Sequence, residues 1–453
     1  MGFRELHSTV LRGAAGAAYA LAGTWRRMEV LAQIENAPAE LRERWQAERL
    51  RALLRHAFEA VPWYRDWARA NGASAEDFRT IADLQHLPVL TRDVVQECGD
   101  TLRSERPLWG GVQKNHTGGS TGRPVTFLQD ANYRAWANAD KQRLYMRCNY
   151  RLGDPIAFLW GSDADSAAHK SALSRLVDRC FRNLLWVNTF DIIEDDLPRI
   201  AEAIKAHAPV LLVGYARSLV MYCRFLRETG IQPPPSLRAV QSSAEVLAAA
   251  DREFIEKTLG VPVFDRYGCR EVGIIAHECH AHAGLHISSG ANVVEIVDVH
   301  GQPAVAGRIV VTNLHNFVQP FIRYDTEDAG EAAEDACPCG SPAVRLARIL
   351  GRRSDLIVSP SGKLLHGEFF THLFYGLEDV KQFQVVQDAR DHLLIRLVLR
   401  RPGSEEAIQR RLAAAIRAHA DPAFRVTFEF VDAIPPSPSG KTRFTISYVE
   451  TRL

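Results

Sequence analysis

The sequence has few of the features that mark membrane-spanning, disulfide-stabilised or nucleic-acid-binding proteins. Its 453 residues include only 8 Cys, which is too few for a disulfide scaffold. No apolar run approaches the roughly 18–20 residues that span a bilayer. The 55 basic side chains nearly balance the 54 acidic ones, giving a net charge of +1, so no overall field attracts nucleic acid. These absences predict a cytoplasmic globular protein with no transmembrane segment and no nucleic-acid partner.

Lysine is also scarce. Only 8 of the 55 basic residues are Lys, so this sequence uses Arg where a generic positive charge is sufficient. Because Lys and Arg are not interchangeable at a binding site, each Lys is informative. Lys441 closes the Pro/Ser/Gly-rich segment Pro435–Lys441. We interpret this segment as a mobile arm that presents one positive charge to a carboxylate or phosphate oxygen in a closed site.

The N-terminal stretch Gly13–Gly23 is built of small, mildly apolar residues. It has two interpretations, a weak signal peptide or a helix that packs on the protein or lies at an interface. The Ala and Gly core, and the basic pair Arg26 and Arg27 that follows, favour the helix.

The body of the chain alternates short apolar runs with helical segments, which predicts buried parallel strands in an α/β domain. The runs are Pro155–Trp160, Val210–Gly214, Ala239–Val240 and Val261–Phe264. Residues 292–328 alternate as β-strands, with one expected at Pro320–Asp325. After Gly351 a hairpin, an amphipathic helix over 404–419 and a strand over 425–431 predict a small α+β unit. We therefore divide the chain into domains 1–350 and 351–453. Upstream, Thr91 is predicted to cap a helix.

The strongest local signal is the segment TGGSTGRP, which begins at Thr117. Six consecutive residues supply backbone N–H and hydroxyl donors that suit phosphate oxygens: Thr117, Gly118, Gly119, Ser120, Thr121 and Gly122. The segment is not a GxxxxGK[ST] loop, because it contains no Lys. An ordinary Gly-rich turn is the alternative interpretation.

Two further segments carry groups that suit a nucleotide. Asp265–Glu271 follows a predicted strand and offers the ring of Tyr267 for stacking and the carboxylate of Glu271 for a metal. Phe321–Asp328 ends in a carboxylate that is able to accept two ribose hydroxyls. A simple charged turn is the alternative for the second segment, and commonplace strand-end residues are the alternative for the first.

Taken in order, these four segments resemble the acyl-adenylate-forming superfamily of AMP-forming acid–thiol ligases. The resemblance is closest to the phenylacetate–CoA ligase-like branch and its CapK capsule-biosynthesis group, which Leu50–Arg65 and Ile434–Phe444 also resemble. It implies an α/β fold with a large N-terminal adenylate-forming domain of mixed sheets plus a β-subdomain. A small C-terminal α+β domain would follow on a hinge around Ser354 and Asp355.

The resemblance also implies the role of each candidate residue toward ATP and Mg²⁺. The implied roles are phosphate binding by Thr117–Gly122, adenine contact by Ala244, Glu245 and Tyr267, ribose contact by Asp328 with Arg352 beside it, Mg²⁺ binding by Glu271, and bridging of the acid carboxylate and α-phosphate by Lys441.

The implied activity is ATP-dependent activation of a carboxylic acid as an acyl-AMP, which is then passed to a thiol such as CoA. Aromatic side chains near strand ends, Trp160 and Tyr215, favour an aromatic or bulky acid. One alternative is an adenylyl or acyl transferase with a sugar or carrier-protein acceptor in polysaccharide or cofactor biosynthesis. This alternative is raised because Pro360–Lys363 stands in place of the Gly segment that typical CoA ligases use for thiol access. Another alternative is a non-catalytic scaffold of the same fold. A homodimer is compatible with each.

Two cysteine-containing segments predict a structural zinc site. Cys279 and His282 form a Cys-x-x-His pair, and Cys337 and Cys339 form a Cys-x-Cys pair. Together they offer four ligands of the types found at tetrahedral Zn²⁺. His280 and His286 are rival ligands, and reduced cysteines beside surface histidines are the metal-free alternative.

Overall fold

The computed structural model describes most of the chain. The described residues are 16, 17, 19, 20, 22–107, 110–116, 125–160, 178, 182–189, 196–352, 357–365, 369, 370, 373, 374, 377, 379–401, 403–435 and 444–449. Within this part of the chain, no helix has the length and apolar character needed to cross a membrane.

The N-terminal region is helical. Its helices are α1 (Thr24–Glu35), α2 (Ala39–Ala60), α3 (Pro62–Asn71) and α4 (Arg92–Glu97). The Thr91 hydroxyl accepts the N–H of Val94 at 3.3 Å, which confirms the predicted cap of α4. On one face of α2, Leu50, Leu53 and Leu54 are fully buried. They pack in a core that also includes residues within 272–346 of the large central sheet, described next.

An eleven-stranded sheet forms the centre of the molecule, in the order β10-β11-β12-β13-β9-β8-β7-β6-β5-β3-β4. Its parallel half confirms the strands predicted from the four apolar runs, and it contains one further strand, Leu184–Asn188. The strands are β3 (Ile156–Trp160), β4 (Leu184–Asn188), β5 (Leu211–Tyr215), β6 (Ala239–Ser243) and β7 (Val263–Cys269), and the helices around them are α5 (Ala131–Arg147), α6 (Leu197–His207), α7 (Ala216–Thr229) and α8 (Ala249–Leu259).

The other half of the sheet is antiparallel. Its strands are β8 (Gly273–Glu278), β9 (Leu285–Ile287), β10 (Asn292–Val297), β11 (Ala306–Asn313), β12 (Tyr324–Ala332) and β13 (Arg345–Arg352). The strand expected at Pro320–Asp325 begins instead at Tyr324. Pro320 has no N–H for a ladder, and Arg323 adopts φ +51°, so the chain turns before β12 starts.

A separate hairpin joins β1 (Val112–His116) to β2 (Thr126–Asp130), with His116 opposite Thr126. The predicted phosphate loop, Thr117–Gly122, connects these two strands and lies outside the described residues.

The C-terminal region contains a four-stranded sheet in the order β18-β17-β16-β19. Its elements, preceded by the short pair β14 (Ile357–Val358) and β15 (Leu364–Leu365), are β16 (Val380–Ala389), β17 (His392–Leu399), α9 (Glu405–His419), β18 (Arg425–Phe430) and β19 (Thr445–Ser447). The predicted hairpin, helix and following strand are confirmed. Leu393, Ile395 and Leu412 are fully buried in a hydrophobic cluster made of residues 357–424 alone. The fold is thus α/β, with a small α+β unit at the end of the chain.

Candidate active site and metal centre

The carboxyl ends of the parallel strands form the first part of the candidate site. Strand β3 pairs with β4 on one side and β5 on the other, so the direction of the chain connections reverses there, and ligands bind at such points in α/β sheets. The strand registers align Trp160, Tyr215, Ser243 and Arg266 in one row across β3, β5, β6 and β7. This row lies at the carboxyl edge of the sheet.

Three of the predicted nucleotide residues are brought together by β7, β12 and β13. The Tyr267 hydroxyl donates to Oδ2 of Asp328 at 2.9 Å and lies 3.2 Å from Oγ1 of Thr326. On its other side, Oδ1 of Asp328 lies 3.1 Å from Nε of Arg352. The groups assigned to adenine and ribose are therefore one connected unit, although Arg352 lies 85 positions after Tyr267 in the sequence.

The electrostatics of this unit shift the pKa of Arg352 and of Tyr267 upward. Asp328 raises the pKa of Arg352, against the opposing effect of burial, and Glu327 adds to the rise through a contact of 2.8 Å. Burial, followed by the charge of Asp328, raises the pKa of Tyr267 well above its usual value. Tyr267 is thus a neutral hydrogen-bond donor, and Asp328 is held in place from two sides.

Glu271 lies close to this unit. Its side chain is nearly buried, at 5% exposure, and Oε1 accepts the hydroxyl of Tyr324 at 2.8 Å. The carboxylate also contributes to the raised pKa of Arg352, which places the two charges within electrostatic reach. Such a fixed carboxylate has the chemistry of a ligand for a hard divalent cation.

The β1–β2 hairpin is fastened to the residue that precedes Glu271. Nη1 of Arg270 donates to the carbonyl of His116 at 3.0 Å, and the Gln129 side-chain amide donates to the carbonyl of Arg270 at 2.8 Å. These bonds place His116 and Gln129, which lie on either side of Thr117–Gly122 in the sequence, next to the residue that precedes Glu271.

The remaining nucleotide candidates lie after β6. Ala244 adopts φ +69°, and Oε2 of Glu245 accepts the backbone N–H of Arg217 at 3.0 Å, at the start of α7. The guanidinium of Arg217 lies 5.6 Å from the ring centroid of Phe444. Lys441 lies outside the described residues, but Phe444, three positions later in the chain, is thus placed against α7.

The row of side chains at the strand ends combines aromatic rings with cations. The ring of Trp160 lies 4.8 Å from that of Tyr215, and the guanidinium of Arg266 lies 5.8 Å from the Trp160 centroid. Arg266 also donates to Oγ of Ser243 at 3.1 Å. Burial lowers the pKa of Lys141, and the charge of Arg266 lowers it further. Among described residues, neither cation has a carboxylate at ion-pair distance.

The second candidate site is a compact cluster of three cysteines and one histidine, made of Cys279, His286, Cys337 and Cys339. Their ligand atoms all lie within 4.8 Å of one another. The sulfurs of Cys279 and Cys337 are 3.6 Å apart, and Nε2 of His286 lies 3.3 Å and 3.7 Å from the sulfurs of Cys337 and Cys339. Tetrahedral Zn²⁺ sets such separations at about 3.5–3.8 Å, so the donor set fits zinc.

The structure corrects one of the predicted zinc ligands. His286, which the sequence left as a rival, joins the cluster, and His282 does not. Nδ1 of His282 lies 3.0 Å from Oε2 of Glu278 and 3.2 Å from Nη1 of Arg252, within an ion-pair network of its own. His286 lies in β9, where all three residues are buried, and this strand carries its ring to the cysteines.

Comparisons with known proteins agree with this architecture. Residues 357–448 match the CapK C-terminal domain. Protein CapK of Staphylococcus aureus is 23% identical over 397 residues, covering 86% of this chain and 85% of that protein. A phenylacetate-coenzyme A ligase of Thermus thermophilus is 24% identical over 450 residues, covering 91% and 97%. Together these matches support the acyl-adenylate-forming superfamily for this chain.

A solved structure has the same fold over both parts of the chain. The crystal structure of 2-hydroxyisobutyryl-CoA ligase in the postadenylation state, in complex with R3-HIB-AMP, superposes with a TM-score of 0.72 at 19% identity. The match covers 92% of this chain and 91% of that one. The adenylate-forming fold therefore extends over nearly the whole chain.

The sequence interpretation missed several residues of the site. Tyr324, Thr326 and Glu327 lie in the segment already singled out for Asp328, yet nothing in their spacing showed that they bond to Glu271, Tyr267 and Arg352. Arg266 did carry a usable signal in the sequence. It is a charged residue that directly precedes the candidate Tyr267 at the end of a buried strand, where charged residues are uncommon.

Proposed function

We propose that the protein is an ATP-dependent, AMP-forming carboxylate ligase, which converts an acid to an acyl-AMP and transfers the acyl group to CoA. The observation that carries the proposal is the connected unit of Tyr267, Asp328 and Arg352 beside Glu271. The relatives named as phenylacetate-coenzyme A ligases and the adenylate-bound ligase structure support it.

Each residue of the site has a separate task in this proposal. Tyr267 lies against adenine, with Ala244 and Glu245 on the same side, and Asp328 accepts the ribose hydroxyls. Arg352 holds the Asp328 carboxylate in position, since it contacts the oxygen that Tyr267 leaves open. Thr117–Gly122 donates to the phosphates. Mg²⁺, held by Glu271, supplies positive charge that offsets the repulsion between the phosphates and the acid carboxylate.

Lys441 and the C-terminal unit complete the reaction. We place residues 351–453 in a small mobile domain whose Lys441 neutralises the reacting carboxylate and α-phosphate. Closure of this domain excludes water, which would otherwise hydrolyse the acyl-AMP. The contact of Phe444 with Arg217 supports an approach of the Lys441 segment to the end of β5 and the start of α7.

A structural zinc ion belongs to the same proposal. Cys279, His286, Cys337 and Cys339 would fill all four positions of a tetrahedral ion, so no position is open for substrate. Cys279 follows β8, His286 lies in β9, and the two remaining cysteines lie before β13. The ion would hold together three neighbouring segments of the main sheet.

The acid is proposed to bind against Trp160 and Tyr215. Their rings favour an aromatic acid, while the cations Arg266 and Lys141, which have no carboxylate partner among the described residues, favour one that carries a second anionic group. An aromatic dicarboxylic acid satisfies both features, because the second carboxylate would neutralise Arg266 after the first is activated.

The substitution Arg266→Met tests the proposed acid class. It should lower the kcat/KM of pyrophosphate exchange with phthalate or isophthalate by about 10–100-fold, since one charge-assisted contact is lost, and should change exchange with benzoate little. Arg238→Met is the matched control, because Arg238 precedes the same strand as Ser243 but pairs with Asp154 at 3.0 Å. Equal effects on both kinds of acid would contradict the assignment.

The substitution Glu271→Gln tests the Mg²⁺ position. An amide is a weaker ligand for a hard cation than a carboxylate, so the Mg²⁺ midpoint of pyrophosphate exchange should rise by about tenfold or more. The midpoint is measured by Mg²⁺ titration at fixed ATP. Glu331→Gln serves as control, since Glu331 pairs with Arg348 at 2.7 Å elsewhere on β12. An unchanged midpoint for Glu271→Gln would place the cation on another ligand.

The complete reaction is tested by adding substrates in order. ATP, Mg²⁺ and a panel of acids should yield acid-dependent pyrophosphate, and CoA should then accelerate AMP release and give an acyl-CoA. A second candidate function, transfer to a sugar or carrier protein, is favoured by the CapK match over 357–448. It predicts pyrophosphate formation that CoA leaves unchanged and that a non-thiol acceptor accelerates. Calorimetry that shows no ATP binding would overturn both.

A further inference from the structure

The last residue of α1, Glu35, is a fully buried carboxylate at 0% exposure. Its Oε2 lies 2.5 Å from Nη1 of Arg143 and 3.4 Å from Nε2 of His277, and its Oε1 lies 2.7 Å from Nη2 of Arg147. Burial alone would raise its pKa, but Arg143, His277 and Arg147 together lower the pKa well below its usual value. Glu35 is therefore a buried anion.

The same carboxylate faces the candidate metal centre. Its Oε1, which pairs with Arg147, also lies 3.9 Å from Nδ1 of His286. That ring nitrogen is buried and has no hydrogen-bond partner within the described structure. The opposite nitrogen of the ring, Nε2, points to the sulfurs of Cys337 and Cys339. The imidazole of His286 thus stands between the cysteine cluster and Glu35.

This arrangement has a chemical consequence once a metal is bound. An imidazole that ligates through Nε2 keeps its proton on Nδ1, and that proton requires an acceptor, which is commonly a carboxylate. A shift of about 0.7 Å would bring Nδ1 and Oε1 within hydrogen-bond distance. Because Nδ1 of His286 is buried without a partner, the hydrogen bond would satisfy a group that is costly to leave unpaired, and a carboxylate oxygen that already meets Arg147 is still able to accept it.

A second contact joins the end of α1 to the metal centre independently. The side-chain oxygen of Asn36, the residue after Glu35, accepts a hydrogen bond from the hydroxyl of Ser341 at 2.7 Å. Ser341 lies two positions after the ligand Cys339. Nη1 of Arg42 donates to the carbonyl of Pro342 at 3.1 Å. The loop that carries Cys337 and Cys339 is therefore held both by the turn that follows α1 and by the first turn of α2.

We propose that Glu35 is a positioning residue of the metal centre, which accepts the Nδ1 proton of His286 and so couples metal binding to the docking of helix α1. The inference rests on the zinc site proposed above. It assigns a function to the N-terminal helix that lies outside ATP and acid binding, since α1 contributes the buried carboxylate that orients a ligand located 251 positions later in the chain.

The test uses the full chain with Glu35→Gln and a matched control, Asp140→Asn. Asp140 is 2% exposed and contacts the same Arg143 at 2.7 Å, so its substitution disturbs the buried ion network without touching His286. Zn²⁺ affinity is measured by competition with a chromophoric chelator. Glu35→Gln should weaken binding by about 10–100-fold, and Asp140→Asn should change it by about threefold or less.

A second readout separates positioning from general stability. The rise in melting temperature on adding Zn²⁺ to the chelated protein should be smaller in Glu35→Gln than in both wild type and Asp140→Asn. Equal rises, or equal affinities, would overturn the role of Glu35 and leave the zinc site standing. A wild-type protein that binds no Zn²⁺ would overturn both proposals. If Glu35→Gln does not fold, hydrogen exchange on wild type decides the matter, because chelation should accelerate exchange at residues 30–36 relative to α3, and no acceleration would contradict the coupling.

Discussion

Replacing Lys441 by Ala is expected to lower acid-dependent pyrophosphate exchange by about 100-fold or more, while ATP affinity changes little. The reason is that one preorganised positive charge near developing negative charge contributes at this scale to the rate of reaction. Lys441 is proposed to act only in the closed state, so it adds little to the binding of ATP in the open state. Exchange rates, and ATP binding by calorimetry, measure the two effects separately.

Two variants make this expectation sharper. Lys363→Ala is the matched control, because Lys363 belongs to the same C-terminal unit and its ammonium donates to the carbonyl of His419 at 3.3 Å. Lys441→Arg keeps the charge but changes its shape, and is expected to recover part of the rate. Full exchange activity in Lys441→Ala would remove this residue from the mechanism.

The second large effect is expected at the metal centre. Cys337→Ser should release the bound Zn²⁺ and lower the melting temperature by about 10 °C, because structural metal binding is coupled to folding and is worth several kcal/mol or more. The sulfur of Cys337 contacts both Cys279 and His286, so its loss opens the centre of the cluster. Elemental analysis gives the metal content, and calorimetric melting gives the stability.

Cys98→Ser provides the comparison for that experiment. Cys98 is a half-buried thiol that packs against the N-terminal core and lies outside the cluster. Its substitution should leave the zinc content unchanged and cost little stability. A wild-type protein that is metal-free and melts at the temperature of Cys337→Ser would contradict the structural role of the metal.

Strands β3, β5 and β6 were predictable because they are buried and show as continuous apolar runs. Strand β4 is only half-buried and was not predicted. The start of β12 was harder to predict, because the run 320–325 is rich in apolar and aromatic residues. Within it, Pro320 cannot donate to a ladder and Arg323 adopts a left-handed backbone conformation. The composition of a short segment therefore does not show at which residue the hydrogen-bonded ladder of a strand begins.

The candidate sites show the same limit at longer range. The spacing Cys-x-x-His favoured His282, yet the turn at His282, with φ +49°, sends its ring to Glu278, and β9 supplies His286 instead. The segment motifs placed Tyr267, Asp328 and Arg352 through resemblance to a family, but only the registers of β7, β12 and β13 reveal that they touch. Glu35 carried no signal, since a glutamate at the end of an amphipathic helix is ordinarily solvated.

The alignment of Arg266 with Trp160, Tyr215 and Ser243 has a consequence for the diversification of this protein. Arg266 is followed directly by Tyr267, and successive side chains of a strand leave opposite faces. A substitution at position 266 alters the row proposed to face the acid, while the Tyr267–Asp328 bond lies on the other face. If the proposed roles hold, such a substitution changes the acid pocket and leaves the proposed ATP contacts in place. Each of the four strands offers one such position, so lineages with this scaffold are free to change substrate by point substitutions that preserve the backbone.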